Sequence, residues 1–418
     1  MGTPRWAALP PALHRELPQG VRTLQAGLVV NAFGNGAAGP FMVIYLHNAR
    51  GIPLALAGLA TATGSACALA VTLAAGSIAD RWGPRPTMIG GLSCSALAFG
   101  LYPLVREPWH AFALAALTGG GIGIWLTMQS SLLAAITPPS ARHIAFARQR
   151  VAANVGLGLG GFAGGLIVTT SRPATFTVLF WVNAATFVIY TVFLLRIAVP
   201  APSRAAIGAD YRQVLADHVF VRLALLNAVF VVAAVSLLNG LFPVYAKNQA
   251  HVSERAIGVL FLLNSLTIIV LQLPTARMVE GRRRMRMLAV MGLLFAGSWL
   301  LVATAGTVAA GVVPAVGVLV VAVIAFGLAE CLYDAVYGPL VSDLAPPDLL
   351  GRYMAVTGFS WQFGFIVGPA IGGFILGVRP NVLWLAAAAT CAVGTMYALG
   401  LERRLPERLR RTPGGDSP

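Results

Sequence analysis

Apolar runs of roughly 20 residues recur from one end of the chain to the other. As a helix, a run of that length crosses the ~30 Å hydrocarbon layer of a bilayer. Twelve such spans can be drawn, over residues 24–46, 56–79, 88–105, 109–136, 151–168 and 177–195, then 223–245, 257–279, 288–304, 313–341, 353–378 and 382–401. Only helices or closed barrels satisfy their backbone in lipid, and the runs show no period-two alternation, so all twelve are expected as helices. With 57% hydrophobic and 10% charged residues and a mean hydropathy of +0.78, against ~25% charge in soluble domains, the chain is expected to be an all-α, multi-pass membrane protein.

Arginine placement predicts orientation. If the N-terminus is cytoplasmic, 23 of the 29 basic residues lie inside, and only Arg50, Arg106, Arg172, Lys247, Arg255 and Arg379 lie outside. The opposite topology violates the positive-inside bias by the same margin. Both termini are therefore expected in the cytoplasm of a cell whose plasma (inner) membrane holds the chain. The net charge of +15 is spread over short loops with no basic helix or aromatic-interleaved patch, which argues against nucleic acid as a partner. Cys67, Cys94, Cys331 and Cys391 all fall in apolar segments without metal-ligand spacing, so neither a metal nor another cofactor is expected. No phosphate-binding G-x-x-x-x-G-K-[ST] occurs, and no nucleophile–base arrangement suggests an enzyme.

Residues 197–222 form the longest polar connection and divide the spans six and six. The expected organisation is a cytoplasmic arm at 1–22, bundles at 23–196 and 223–401, the linker 197–222 between them, and a tail at 402–418. The two bundles repeat. Gly119, Pro138, Pro139, Gly160, Gly164 and Gly165 recur 208 residues later as Gly327, Pro346, Pro347, Gly368, Gly372 and Gly373, while Tyr45 and Gly58 recur 200 later as Tyr245 and Gly258. Identical residues at a constant offset mark parallel six-helix repeats.

Between the second and third spans runs Gly76-Ser77-Ile78-Ala79-Asp80-Arg81-Trp82-Gly83-Pro84-Arg85. With the repeat, it resembles the major facilitator superfamily over essentially the whole chain, matching the signature G-x-x-x-D-R-x-G-x-[RK] at Gly76, Asp80, Arg81, Gly83 and Arg85. Gly368-Pro369-Ala370-Ile371-Gly372-Gly373 is similar to the G-P-x-x-G-G element of drug/proton antiporters, although that element belongs to the fifth span. There the chain reads Gly160-Gly161-Phe162-Ala163-Gly164-Gly165, without the proline. The arginine that many proton-coupled members carry early in the fourth span is also missing from residues 114–121. The resemblance implies a monomeric alternating-access transporter with a central cavity lined by spans 1, 4, 7 and 10. At the end of the second span, Asp80 can pair with Arg81 or Arg85 and face the start of the eleventh span, whose dipole favours an anion, so the turn is expected to act as part of a cytoplasmic gate; the alternative is that its charges only fix topology.

Of the 14 acids, twelve fall in loops, tails or helix ends. Glu330 lies near the middle of the tenth span and Asp334 one turn nearer the cytoplasm, on the same face. With every Arg, Lys and His assigned to loops or interfaces, Glu330 should be either protonated or neutralised by a cationic substrate. A proton and a cation would then compete for one site; the plainer alternative is a protonated side chain hydrogen-bonded to a neighbouring helix. Neutral polar groups include Asn264 in the eighth span. Asn31, Asn35, Gln129, Asn227 and Gln362 are the favoured cavity groups, with Trp125 and Trp361 as stacking surfaces. Gly160, Gly164, Gly165, Gly368, Pro369, Gly372 and Gly373 are expected to let helices approach closely. The expected task is export of amphipathic, drug-like small molecules in exchange for protons. Uptake or facilitated diffusion of a metabolite, with Glu330 structural, is the alternative, and a non-transporting sensor fits less well because no long polar domain is present.

Overall fold

The structure, a computed structural model, describes residues 17–138, 141–197, 212–307, 311–346 and 349–412, without the side chains of residues 73, 76, 77, 80 and 143. Twelve long helices account for most of it: α1 Gln19–Ala38, continued by short turns to Ala49, α2 Leu54–Trp82, α3 Pro84–Leu101, α4 Pro108–Ile136, α5 Arg142–Ile167 and α6 Ala174–Leu195. The second six are α7 His218–Phe230, extended through a π-helical segment Val231–Val235 to Gly240, α8 Glu254–Val279, α9 Arg284–Thr307, α10 Val312–Leu344, α11 Leu350–Val378 and α12 Pro380–Leu401. All twelve are long and apolar enough to cross a membrane.

Local chemistry sets their ends. Asp217 caps α7, its Oδ1 accepting the N–H groups of Val219 and Phe220 at 3.0 Å each, and Ser253 caps α8. Gly83 separates α2 from α3 at φ +87°, a conformation that other residues adopt only under strain. Pro84 follows at the first helical position, where its missing N–H costs no hydrogen bond. One boundary differs from the sequence expectation. The fifth span was expected from residue 151, but α5 begins at Arg142, because a hydropathy window marks only the lipid-buried part of a helix.

In the first half α1 packs on α5 and α6, and α4 on α2 and α3. In the second, α7 packs on α11 and α12, and α10 on α8 and α9. Small residues permit this closeness. A methyl on Gly164 would lie 2.5 Å from the Ala37 carbonyl oxygen, and one on Gly372 2.6 Å from Leu241 Cδ1; Gly160 abuts Phe33 in the same way and Gly368 abuts Ser236. The halves meet along α2–α11 and α5–α8. There Gly165 faces Gly258 while Gly373 and the Pro369 carbonyl face Gly58, so a methyl on Gly165 or Gly58 would reach the Cα of Gly258 or Gly373 within 2.8 and 3.0 Å. These are the positions that repeat at offsets of 208 and 200, and the two glycine contacts are related by the same internal symmetry.

Candidate transport site

The face where α1 begins and α12 ends is called the terminal face below, and the opposite one the distal face. On the distal face the halves are held together. Glu254 at the start of α8 accepts the Thr170 N–H at 2.9 Å and the Thr170 hydroxyl, and also pairs with Lys247 Nζ at 2.9 Å. Asn48 donates to Asn248 Oδ1 at 2.8 Å, again 200 residues apart.

On α10, Glu330 accepts a hydrogen bond from Asn264 Nδ2 of α8 at 3.3 Å. Asp334, one turn on, pairs with Arg150 Nη2 at 2.5 Å across the two halves, with side chains 20% and 52% exposed respectively. The expectation that no cation reaches this depth is therefore corrected. Because α5 starts at Arg142, Arg150 is a helical residue more than two turns in, and its long stem carries the guanidinium to α10.

An aromatic wall adjoins the acids. Tyr333 and Tyr337 stack with ring centroids 5.1 Å apart, Trp361 of α11 meets Tyr333 edge-on at 5.8 Å, and Trp361 stacks on Phe365 at 5.9 Å. Polar atoms lock the wall in place. Trp361 Nε1 donates to Tyr333 Oη at 2.6 Å, that hydroxyl donates to Asn227 Oδ1 of α7 at 2.8 Å, and Asn227 Nδ2 donates to Ser360 Oγ at 2.6 Å. Tyr333 and Tyr337 were not singled out from sequence, although i+3 and i+7 spacing from Glu330 places both on its side of α10.

The other expected residues lie elsewhere. Trp125 is buried edge-on to Phe187 and Tyr190 at 6.5 Å each, so it packs inside the first half rather than offering an open stacking surface. Asn31 is fully buried and its Oδ1 accepts from Asn35 Nδ2 at 3.1 Å; Gln129 is buried, and Gln362 is half-buried beside Trp361. At the α2–α3 turn, Gly76 lies within α2, the Asp80 side chain lies outside the described residues, and Arg81 is exposed. Arg85 donates to the Leu195 carbonyl at 2.6 Å, which joins the turn to the end of α6 within the first half.

The sequence profile described as Major Facilitator Superfamily matches residues 26–313 and 224–418. The chain belongs to the major facilitator superfamily. It is 24% identical to the uncharacterized MFS-type transporter YqjV of Bacillus subtilis (strain 168), over 85% of both chains. It is also 24% identical to the multidrug resistance protein MdtH of Proteus mirabilis (strain HI4320), over 78% of this chain and 80% of that one. Among solved structures it resembles a D-xylose-proton symporter at 14% identity and TM-score 0.76, covering 94% of this chain and 99% of that one. Within this superfamily it is a multi-pass membrane transporter and not an enzyme.

The two α10 carboxylates have different partners. Asp334 is engaged by a cation from the opposite half, whereas the Glu330 hydrogen bond comes from a neutral amide. Two carboxylates one turn apart can accept an incoming cation here. The flat faces of Trp361 and Tyr333 can hold the organic part of such a cation.

Proposed function

We propose that the protein exports amphipathic organic cations across the plasma membrane in exchange for protons, by alternating access with the terminal face cytoplasmic. The observation that carries this reading is the α10 acid pair: Asp334 bound by Arg150 across the halves, Glu330 bonded to Asn264, and aromatic rings alongside. The arginine bias supports the orientation, and the relatives named as multidrug resistance proteins support the substrate class. The two six-helix bundles, joined through residues 197–222, rock against each other and close the distal face at the glycine contacts. Asn31, Asn35, Gln129, Asn227 and Gln362 contribute polar groups to the path. The Asp80–Arg81 turn, with Gly76, Gly83 and Arg85, belongs to the cytoplasmic gate, biasing one conformation rather than binding cargo.

In the cycle, protonated Glu330 faces the cytoplasm, gives up its proton as a cation arrives, and regains one after the outward switch. The entering cation also competes with Arg150 for Asp334. The test is uptake of a lipophilic cation such as ethidium into proteoliposomes with an acidic lumen. Uptake should follow the gradient, collapse with nigericin and be lost in Glu330→Gln. Saturable transport that ignores the gradient would instead mark a facilitator and overturn the exchange mechanism.

A further inference from the structure

After α12 the chain stays against the protein as far as Thr412. It makes 3₁₀ turns at Glu402–Arg404 and Glu407–Leu409 and then lies against the α8–α9 turn. Arg284 N–H donates to the Arg410 carbonyl at 2.9 Å, Thr412 N–H to the Arg282 carbonyl at 3.0 Å, and Arg283 and Arg411 form a β-bridge. This docking builds a pocket of about 310 Å³ lined by Arg283, Arg286, Leu399, Glu402, Arg403 and Arg410. Four guanidiniums surround one carboxylate. Glu402 meets Arg283 at 2.7 Å and Arg286 at 3.7 Å, which leaves the pocket with a positive excess. Arg410 makes bonds to the Leu405 and Arg403 carbonyls and to Glu407, so it frames the pocket. The Arg286 side chain is 60% exposed, and Arg403 is exposed as well.

The surroundings of the pocket point to its occupant. On α9, Arg286 is followed at i+4 and i+7 by exposed Val290 and Leu293; on α12, exposed Met396 and Leu399 precede Arg403 by seven and four residues. Two apolar stripes on packed neighbouring helices thus run along the membrane-spanning surface and end in arginines that line the same pocket. A soluble anion would use only the basic end. A phospholipid with an anionic headgroup would use both, with its phosphate on the guanidiniums and its acyl chains along the stripes.

We propose that the pocket between the first turn of α9 and the turns after α12 binds the phosphate of an anionic phospholipid, which holds the C-terminal segment against the α8–α9 turn. The test is native mass spectrometry of the delipidated full-length protein titrated with phosphatidylglycerol, phosphatidylcholine or inorganic phosphate. Phosphatidylglycerol should bind at least about tenfold more tightly than phosphatidylcholine. Arg286→Gln/Arg403→Gln should weaken it about 30-fold, an arginine near an anionic lipid surface being worth about fivefold. Arg106→Gln/Arg172→Gln, which removes equal charge from exposed distal loops, should change binding by less than about twofold, and Arg286→Lys/Arg403→Lys should retain most of it. Equal binding of both lipids, or equal loss in the distal control, would overturn the proposal. Displacement of phosphatidylglycerol by inorganic phosphate at matched concentration would overturn the lipid as occupant and leave a free-anion site.

Discussion

Replacing Gly165 and Gly373 by alanine should open the distal face. A methyl on Gly165 would lie 2.6 Å from the Glu254 carbonyl oxygen and 2.8 Å from Gly258 Cα; one on Gly373 would lie 2.8 Å from the Leu54 carbonyl oxygen. A carbon in contact with a carbonyl oxygen normally stands at ~3.3 Å or more, so each helix pair must separate by about 0.5–0.7 Å. The obstructing atoms are backbone and cannot rotate away. Overpacking of this kind costs about 1–3 kcal/mol per site. Because both contacts join the two halves on the distal side, the cost falls on the distal-closed conformation alone. The closed-to-open ratio should then drop about 5- to 150-fold for each substitution. The assay is the distance between spin labels at Arg106→Cys and Arg379→Cys, one in each half, with the four native cysteines replaced. The Gly165→Ala/Gly373→Ala protein should show a longer and broader distribution than the parent. Gly297→Ala, whose methyl meets nothing within 4 Å, should match the parent. Unchanged distributions in the double variant would refute the argument that these glycines hold the distal face shut.

Arg150→Gln and Asp334→Asn should each slow cation transport, and their double-mutant cycle should give a coupling energy of up to about 1 kcal/mol in thermal unfolding, as for a partly exposed pair. A coupling of zero would mean that the ion pair is incidental. Tyr333→Phe removes the partner of Trp361 Nε1 and Asn227 Oδ1 together, so it should cost about 1–3 kcal/mol and lower the Tm. An unchanged Tm would place the network outside the stability of the second half. Glu254→Gln should loosen the contact with Thr170 and Lys247 and increase labelling of cysteines placed behind it, read by maleimide accessibility; unchanged labelling would exclude it as a distal latch.

Spans and repeats were legible because lipid imposes length and polarity on each helix, and because backbone contact between halves requires glycine at symmetric places. Gly58, Gly165, Gly258 and Gly373 show the link between a sequence offset and a packing contact. Glu330 and Asp334 were conspicuous because charge is scarce at depth. Arg150 was not, since an interfacial helix start lies outside any apolar window. Nor was the setting of Trp125, because α4 is apolar on every side and its periodicity cannot separate a core face from a cavity or lipid face. Tyr333 and Tyr337 follow from helical spacing out of Glu330, but tyrosine at a helix centre is as common in packing as in a site, so residue type alone does not mark them.

Competition between a proton and an organic cation for the α10 carboxylate is the core of the proposed cycle. It is tested most directly by counting protons released when tetraphenylphosphonium binds the purified protein in weakly buffered solution. The account predicts release of about one proton per cation bound, abolished in Glu330→Gln but retained in the Gly297→Ala control. Cation binding without proton release, or release that survives Glu330→Gln, would contradict it.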